Sequence, residues 1–237
     1  MNMESGYLTP HDVRRMFDRI APVYDFMNRA MTATLDRRWR RLTAEAVVRP
    51  GDRVLDACCG TGDLALACAR AGAGAVVGLD FSERMLERAR RKAQVTDCYL
   101  EWITGDLLAL PFDEESFDAA TVGFGIRNVA DVHRAFAELR RVLRPGAQLG
   151  ILEITRPSGA LAPFYRLWFD RLIPLAGKLL RAGAAYTYLP ASVRRFPGPD
   201  ELSNRLLQGG FERVQYRLFA GGIVALHVAS TPHGAAR

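Results

Sequence analysis

The sequence contains no run of about eighteen apolar residues, and its start, MNMESGYLTP, has no basic stretch leading into an apolar core. A chain that crosses a membrane or is exported is therefore not expected. Cysteine is scarce. Cys58, Cys59, Cys68 and Cys98 form no C-x-x-C pair, and the adjacent Cys58 and Cys59 would close only a strained bridge. Free thiols in a reducing cytosol fit that usage, and no metal is expected. Repeats and low-complexity segments are also missing, apart from a frayed-looking tail at 231–237. What the chain does have is positive charge: a net +6 and a pI near 9.4 point to an anionic partner, either nucleic acid or an anionic membrane surface. Basic runs at 37–41, 84–92, 140–144 and 194–195 read as solvated helix faces. The 237 residues and 49% hydrophobic content suit one α/β domain with an appendage.

The stretch from Val54 to Asp63, VLDACCGTGD, organises the rest. A short apolar strand ends at Asp56 and Ala57, and a turn with Gly60 and Gly62 opens a helix. Glycine permits positive φ and a close backbone approach, while helix amides face the ligand. Gly60-x-Gly62-x-x-Ala65 satisfies a dinucleotide pattern, which alone is weak. Charge separates the candidate ligands. A pyrophosphate between Asp56 and Asp63 would meet two carboxylates, whereas a ligand with a sulfonium and an ammonium would be welcome. The alternative is that Asp63 only complements the helix N-terminus and Asp56 only ends a strand.

Along the chain, residues 11–48 read as helices with an apolar stripe (Met16, Phe17, Ile20, Ala21, Tyr24) interrupted at Pro22. Tyr24, Asp25 and Asn28 place polar tips beside it, as in a lid over a ligand. After Pro50-Gly51, strands and helices alternate: strands at 53–57, 75–80, 99–104, 117–123 and 148–154, helices at 64–71, 82–93 and 129–143. This alternation means right-handed crossovers and a Rossmann-like, mostly parallel sheet, with the ligand across the strands' carboxyl ends where strand order reverses. Asp80 ends the second strand twenty residues after Gly60, where a carboxylate takes ribose hydroxyls. Its neighbour Phe81 counts with the cofactor residues, and Ser82 caps the next helix. Asp106 closes the third strand, placed to accept from an adenine amino group while Leu107 covers the ring. The fourth strand leads into Gly123-Phe124-Gly125-Ile126-Arg127-Asn128. Arg127 is a permanent positive charge at the reaction edge. Asn128 is either the N-cap of a helix from Val129 or a polar group for chemistry. Arg144-Pro145-Gly146 reads as a tight turn. Residues 160–182 form a basic amphipathic stripe that either packs on the core or lies on an anionic membrane. A terminal hairpin, 213–218 and 222–229, completes seven strands with an antiparallel edge. The domain reading is a helical lid at 1–48, the main domain at 49–230 and the tail.

VLDACCGTGDL, VVGLDFSERML, GDLLALPF and LRRVLRPGAQLGILE resemble the class I S-adenosylmethionine methyltransferases in order and spacing. More narrowly, MFDRIAPVYDFMNRAMT, LDRRWRR, FGIRNV, YTYLPASVRRFP and GGFERVQYRLFAGGIVALH resemble the ubiquinone/menaquinone biosynthesis C-methyltransferases over residues 11–229. The resemblance implies S-adenosyl-L-methionine as cofactor, contacted at Thr61, Asp80, Asp106 and Leu107. It implies methylation of a ring carbon of a polyprenylated demethylmenaquinol or its benzoquinol counterpart. Gly123 stands where many members have serine, so no side-chain contact is expected there, and Cys58 and Cys59 replace a common Ala-Gly pair. In this reading Arg127 stabilises a quinolate, Asn128 or a water takes the proton and Tyr24 orients the ring. The enzyme would be cytoplasmic, held peripherally at the inner face of the membrane, with a homodimer left open. The rivals are another small-molecule methyltransferase, a non-catalytic cofactor-binding protein and a nucleic-acid methyltransferase. The last is disfavoured because GFGIRN stands where base methylation uses Asn/Asp-Pro-Pro-aromatic, and no nucleic-acid module is present.

Overall fold

The computed structural model describes residues 9–93, 98–157 and 183–233. The amphipathic segment expected at 160–182 and the end of the tail lie outside these residues. Strands β1 (Arg53–Ala57), β2 (Ala75–Asp80), β3 (Tyr99–Thr104), β4 (Phe117–Gly123), β5 (Leu143–Ile154), β6 (Glu212–Phe219) and β7 (Val224–Ser230) form one sheet in the order β3-β2-β1-β4-β5-β7-β6. The first five are parallel; β7 is antiparallel to both β5 and β6, so the hairpin makes the antiparallel edge. Order reverses between β1 and β4. Every strand-leaving loop that carries a candidate residue therefore opens on one end of the sheet.

Helices α4 (Asp63–Arg70), α5 (Glu83–Lys92) and α6 (Val132–Val142) follow β1, β2 and β4. Ser82 caps α5 as expected, accepting from Met85 N. The helix expected from Val129 starts one turn later. Asp131 accepts from Arg134 N as its cap, and Asn128 instead ends a 3-10 turn at Ile126–Asn128. The turn expected at 144–146 is part of β5, whose pairing with β4 shifts register between Phe117 and Ala119.

At the N-terminus α1 (Pro10–Ile20) and α2 (Tyr24–Thr32) flank a 3-10 turn at Ala21–Val23, the break expected at Pro22. Helix α3 (Leu35–Val47) belongs to the body of the domain: Ala44 and Val47 are buried with Val54, Leu64 and Val76. Gly150 of β5 makes this possible, because a Cβ there would stand 3.1 Å from Val47 and 3.2 Å from Thr43. The opposite face carries Phe117, Phe136, Leu139 and Leu206 under α6 and α8 (Pro199–Gln208). Met16 and Met27 of α1 and α2 pack with Val193 of α7 (Gly183–Arg195).

Candidate active site

Two cavities meet at the carboxyl end of the sheet. The first, about 860 Å³ including its mouth, is lined by loop residues after β1 to β4 and by α1: Gly60, Asp80, Phe81, Asp106, Leu107 and Asn128 all face it. The second, about 1290 Å³ including its mouth, is mostly apolar, with Met16, Ile20, Met27 and Met31 opposite Ile223 and Val224. Phe17, Tyr24 and Phe124 line both, so a three-ring wall separates them. Phe17 stands edge-on to both Tyr24 and Phe81, each at 6.2 Å between ring centroids. Phe124 holds its ring in this wall from a left-handed backbone (φ 58), unusual for a bulky residue.

The first cavity has an acidic rim. Asp80 accepts from Gly60 N at 2.8 Å and Ser82 N at 2.9 Å, one on each oxygen, so the carboxylate is fixed with lone pairs to spare for hydroxyls. Burial pushes its pKa up to about 6, against the pull of those two amides. Asp106 accepts from Leu108 N at 2.9 Å while Leu107 is buried beside it. Asn128 presents a buried Oδ1 with no partner among the described residues. An acceptor-rich cleft with an orphaned buried oxygen fits a cationic ligand that carries a ribose and an adenine.

Three expected residues stand elsewhere. Asp56 is fully buried beneath the turn and does not line the cleft; its Oδ1 accepts from the Thr121 hydroxyl at 2.8 Å. Burial pushes its pKa up to about 7, with Thr121 and Arg40 acting the other way. Gly62 is glycine because of packing: at φ +80, a Cβ would lie 2.6 Å from the Trp102 ring. Thr61 turns its hydroxyl to Asp25 of α2, at 2.6 Å, rather than to the cleft. Arg127 lines the second cavity, yet its charge is not free. Nη1 lies 2.7 Å from Glu153, which is itself buried, and donates to the carbonyl of Phe124 as well.

The charge runs hid inward-facing cations, because a run of arginines and lysines gives no sign of which members turn inward. Lys92, expected on a solvated face, lies 2.7 Å from Asp25, 2.7 Å from Asp63 and 2.8 Å from Thr61, tying α2 to the glycine turn. Asp63 thus serves this latch and not the ligand's charge. A second tie runs from Asp18 of α1 to the Ser82 hydroxyl at 2.5 Å. Burial works against the charge of Asp63, but Lys92, with Arg40 and Arg29, holds its pKa below the usual value. The stability it contributes is present above the ordinary carboxylate pKa and is lost as pH falls through the lowered value. Lys92→Met leaves two carboxylates facing each other. We expect a loss of about 1–3 kcal/mol in thermal melts, with roughly tenfold faster release of the ligand held in the cleft in stopped flow. An unchanged release rate would show that the latch does not gate the cleft.

A family model described as the ubiE/COQ5 methyltransferase family matches residues 5–231. The chain belongs to the ubiE/COQ5 methyltransferase family. As a ubiE/COQ5 methyltransferase it takes its methyl group from S-adenosylmethionine, in agreement with the acidic cleft. The demethylmenaquinone methyltransferase of Thermus thermophilus is 44% identical over 221 residues, 92% of this chain and 100% of that one. The 2-phytyl-1,4-naphtoquinone methyltransferase of Synechococcus elongatus is 38% identical over 229 residues, 93% of this chain and 97% of that one. Among solved structures, a methyltransferase of Thermotoga maritima, described as a possible histamine N-methyltransferase, superposes with a TM-score of 0.61 at 22% identity. It covers 92% of this chain and 99% of its own, and shares the fold.

Proposed function

We propose that this enzyme transfers a methyl group to a ring carbon of a polyprenylated demethylmenaquinol, the last methylation that makes menaquinol. The observation that carries this reading is the pair of cavities with a shared aromatic wall: a polar, acidic cleft for the donor against an apolar cavity for the acceptor. Relatives named for demethylmenaquinone and phytyl-naphthoquinone methylation support the acceptor class.

When bound, S-adenosylmethionine supplies an electrophilic methyl carbon on a sulfonium. Residues of this chain do the rest. Asp80 and Asp106 fix the donor's sugar and base, so that positioning supplies much of the rate. Tyr24 and Phe124 present ring faces where a flat acceptor can lie against the donor cleft. The acceptor carbon becomes nucleophilic when a phenol loses its proton. At pH 7 a phenol of pKa about 10 is short of that by roughly 4 kcal/mol. Donors around the second cavity lower this cost by hydrogen bonding to the developing oxyanion. Arg127 is one such donor, its Nε buried and unpartnered among the described residues, and Asn128, which lines the donor cleft, can accept a hydrogen bond from the water that takes the proton. Helices α1 and α2 act as the lid, latched through Asp18 and Asp25. Quinone profiling of a strain lacking the gene should show demethylmenaquinone in place of menaquinone, reversed by the intact gene. A normal profile would refute the reading.

The acceptor's tail favours work at the inner face of the membrane, since each prenyl unit adds roughly 4 kcal/mol of lipid affinity. No helix among the described residues is long and apolar enough to cross a bilayer. The lid instead exposes Val23 and Phe26, and Leu35 at the start of α3 is exposed as well and lines the apolar cavity. Arg19, Arg37 and Arg38 are exposed nearby in sequence. We expect Phe26→Asp/Leu35→Asp to cut sedimentation with anionic vesicles by about tenfold while cofactor affinity is kept. Equal sedimentation would remove both residues from the contact.

A further inference from the structure

Arg40 of α3 is the second cation that the arginine run concealed. The residue is 6% exposed, yet its guanidinium, with five N–H groups, makes no hydrogen bond among the described residues. Its nearest anion is Asp36, one helical turn earlier, 3.6 Å from Nε and so beyond hydrogen-bonding reach. Asp36 Oδ1 accepts from the Thr32 hydroxyl at 2.9 Å, and Oδ2 is the oxygen that faces Arg40. The guanidinium carbon stands 5.2 Å from the centre of the Phe124 ring, the wall between the two cavities. Nη1 reaches to 3.4 Å from where a Cβ on Gly123 would stand, at the exit of β4. Asn28, Thr32, Asp36 and Arg40 thus make a polar strip along an otherwise apolar cavity, and Arg127 lines the same cavity.

Arg40 Nε is a buried donor without an acceptor among the described residues, which is costly unless something brings one. Arg127 is a poor sole candidate for charge stabilisation, because Glu153 at 2.7 Å already balances it. Resting on the quinol reading above, we propose that Arg40 binds one of the two ring oxygens of the acceptor. The other oxygen is then left to Arg127, which lines the same cavity. Such a clamp selects rings with two opposed oxygens over rings with one. It also fixes which ring carbon faces the donor cleft, which makes Arg40 a specificity residue for the acceptor and not for the donor.

The test compares a short-chain demethylmenaquinol with a matching naphthol that lacks one oxygen. The proteins are the wild type, Arg40→Lys, Arg40→Gln and the double variant Asp36→Asn/Arg40→Gln, which removes both charges of the ion pair. The wild type should prefer the diol by about tenfold in kcat/KM, the discrimination carried by one hydrogen bond to a charged donor. Arg40→Gln and the double variant should raise KM for the diol by about tenfold and shrink the preference to about twofold. Their S-adenosylhomocysteine affinity should not change, and Arg40→Lys should recover part of the preference. A folded Arg40→Gln or double variant that keeps the wild-type KM and preference overturns the proposal, and Arg40 is then a structural partner of Asp36. Should Arg40→Gln not fold, the double variant and Arg40→Lys decide by the same readouts. No turnover of the diol by the wild type overturns the quinol reading itself, a result distinguishable from the others.

Discussion

Asp80→Asn should weaken binding of S-adenosylmethionine by at least about 100-fold in calorimetry. The carboxylate is acceptor-only and holds Gly60 N on one oxygen and Ser82 N on the other. An amide has a single acceptor, so one of these backbone N–H groups would face an NH2 group in a site that is 5% exposed. The glycine turn and the start of α5 are both held by this residue, and the acceptor for ribose hydroxyls is lost with it. Two hydrogen bonds to a charged group, each worth about 1.5–3 kcal/mol, give the size of the effect. A pH dependence follows. Burial raises this pKa to about 6, so the fold favours protonated Asp80, and its stabilising contribution is lost as pH rises from the ordinary carboxylate value through 6. Donor binding prefers the ionised form and should strengthen as pH rises through about 6. Asp80→Asn should flatten that limb. Affinity that stays level between pH 5 and pH 7 in the wild type would remove Asp80 from donor binding.

Glu153→Ala should be the most destabilising single change at the site, by about 3–5 kcal/mol, with a melting temperature lower by roughly 10 °C. Glu153 is 1% exposed. It accepts from Arg127 Nη1 at 2.7 Å, Arg127 N at 3.3 Å and Ile154 N at 2.8 Å, which ties the Gly123–Asn128 loop to the end of β5. Truncation leaves a buried guanidinium without its counter-charge and two backbone donors without an acceptor. Glu153→Gln keeps the shape and one acceptor, and should cost less. Should both variants melt with the wild type, the pair would be a solvated contact and the cavity wall would owe its position to packing alone.

These residues also mark how far the sequence could be read. β1, β2 and β4 lie at the expected bounds, because a doubly buried strand is a short apolar run closed by Gly, Pro or an acid; β3, a half-exposed edge strand, also lies at its expected bounds, closed by Gly105-Asp106. That Asp80, Asp106 and Leu107 would face one cleft was legible because a strand end in a parallel sheet is a fixed place in space. Asn128 and Asp131 are both good caps three residues apart, and nothing local says which wins. Gly62 was assigned to ligand approach, yet its neighbour is Trp102 on β3, a contact that spans forty residues and leaves no trace in the motif. Lys92 and Arg40 sat in runs of like charge, where solvated and buried members look alike; only the positions of Asp25, Asp63 and Asp36 separate them. Glu153 closes an apolar strand beside no visible partner, since Arg127 reaches it only through the pairing of β4 with β5.

One reaction tests the account most directly. The purified enzyme is given S-adenosylmethionine with an isotope-labelled methyl group and a reduced, short-chain demethylmenaquinol, and the product is read by NMR. The account expects the label on a ring carbon, with one S-adenosylhomocysteine released for each menaquinol formed. Label on a quinol oxygen, or no product from a protein that binds both partners, would contradict it.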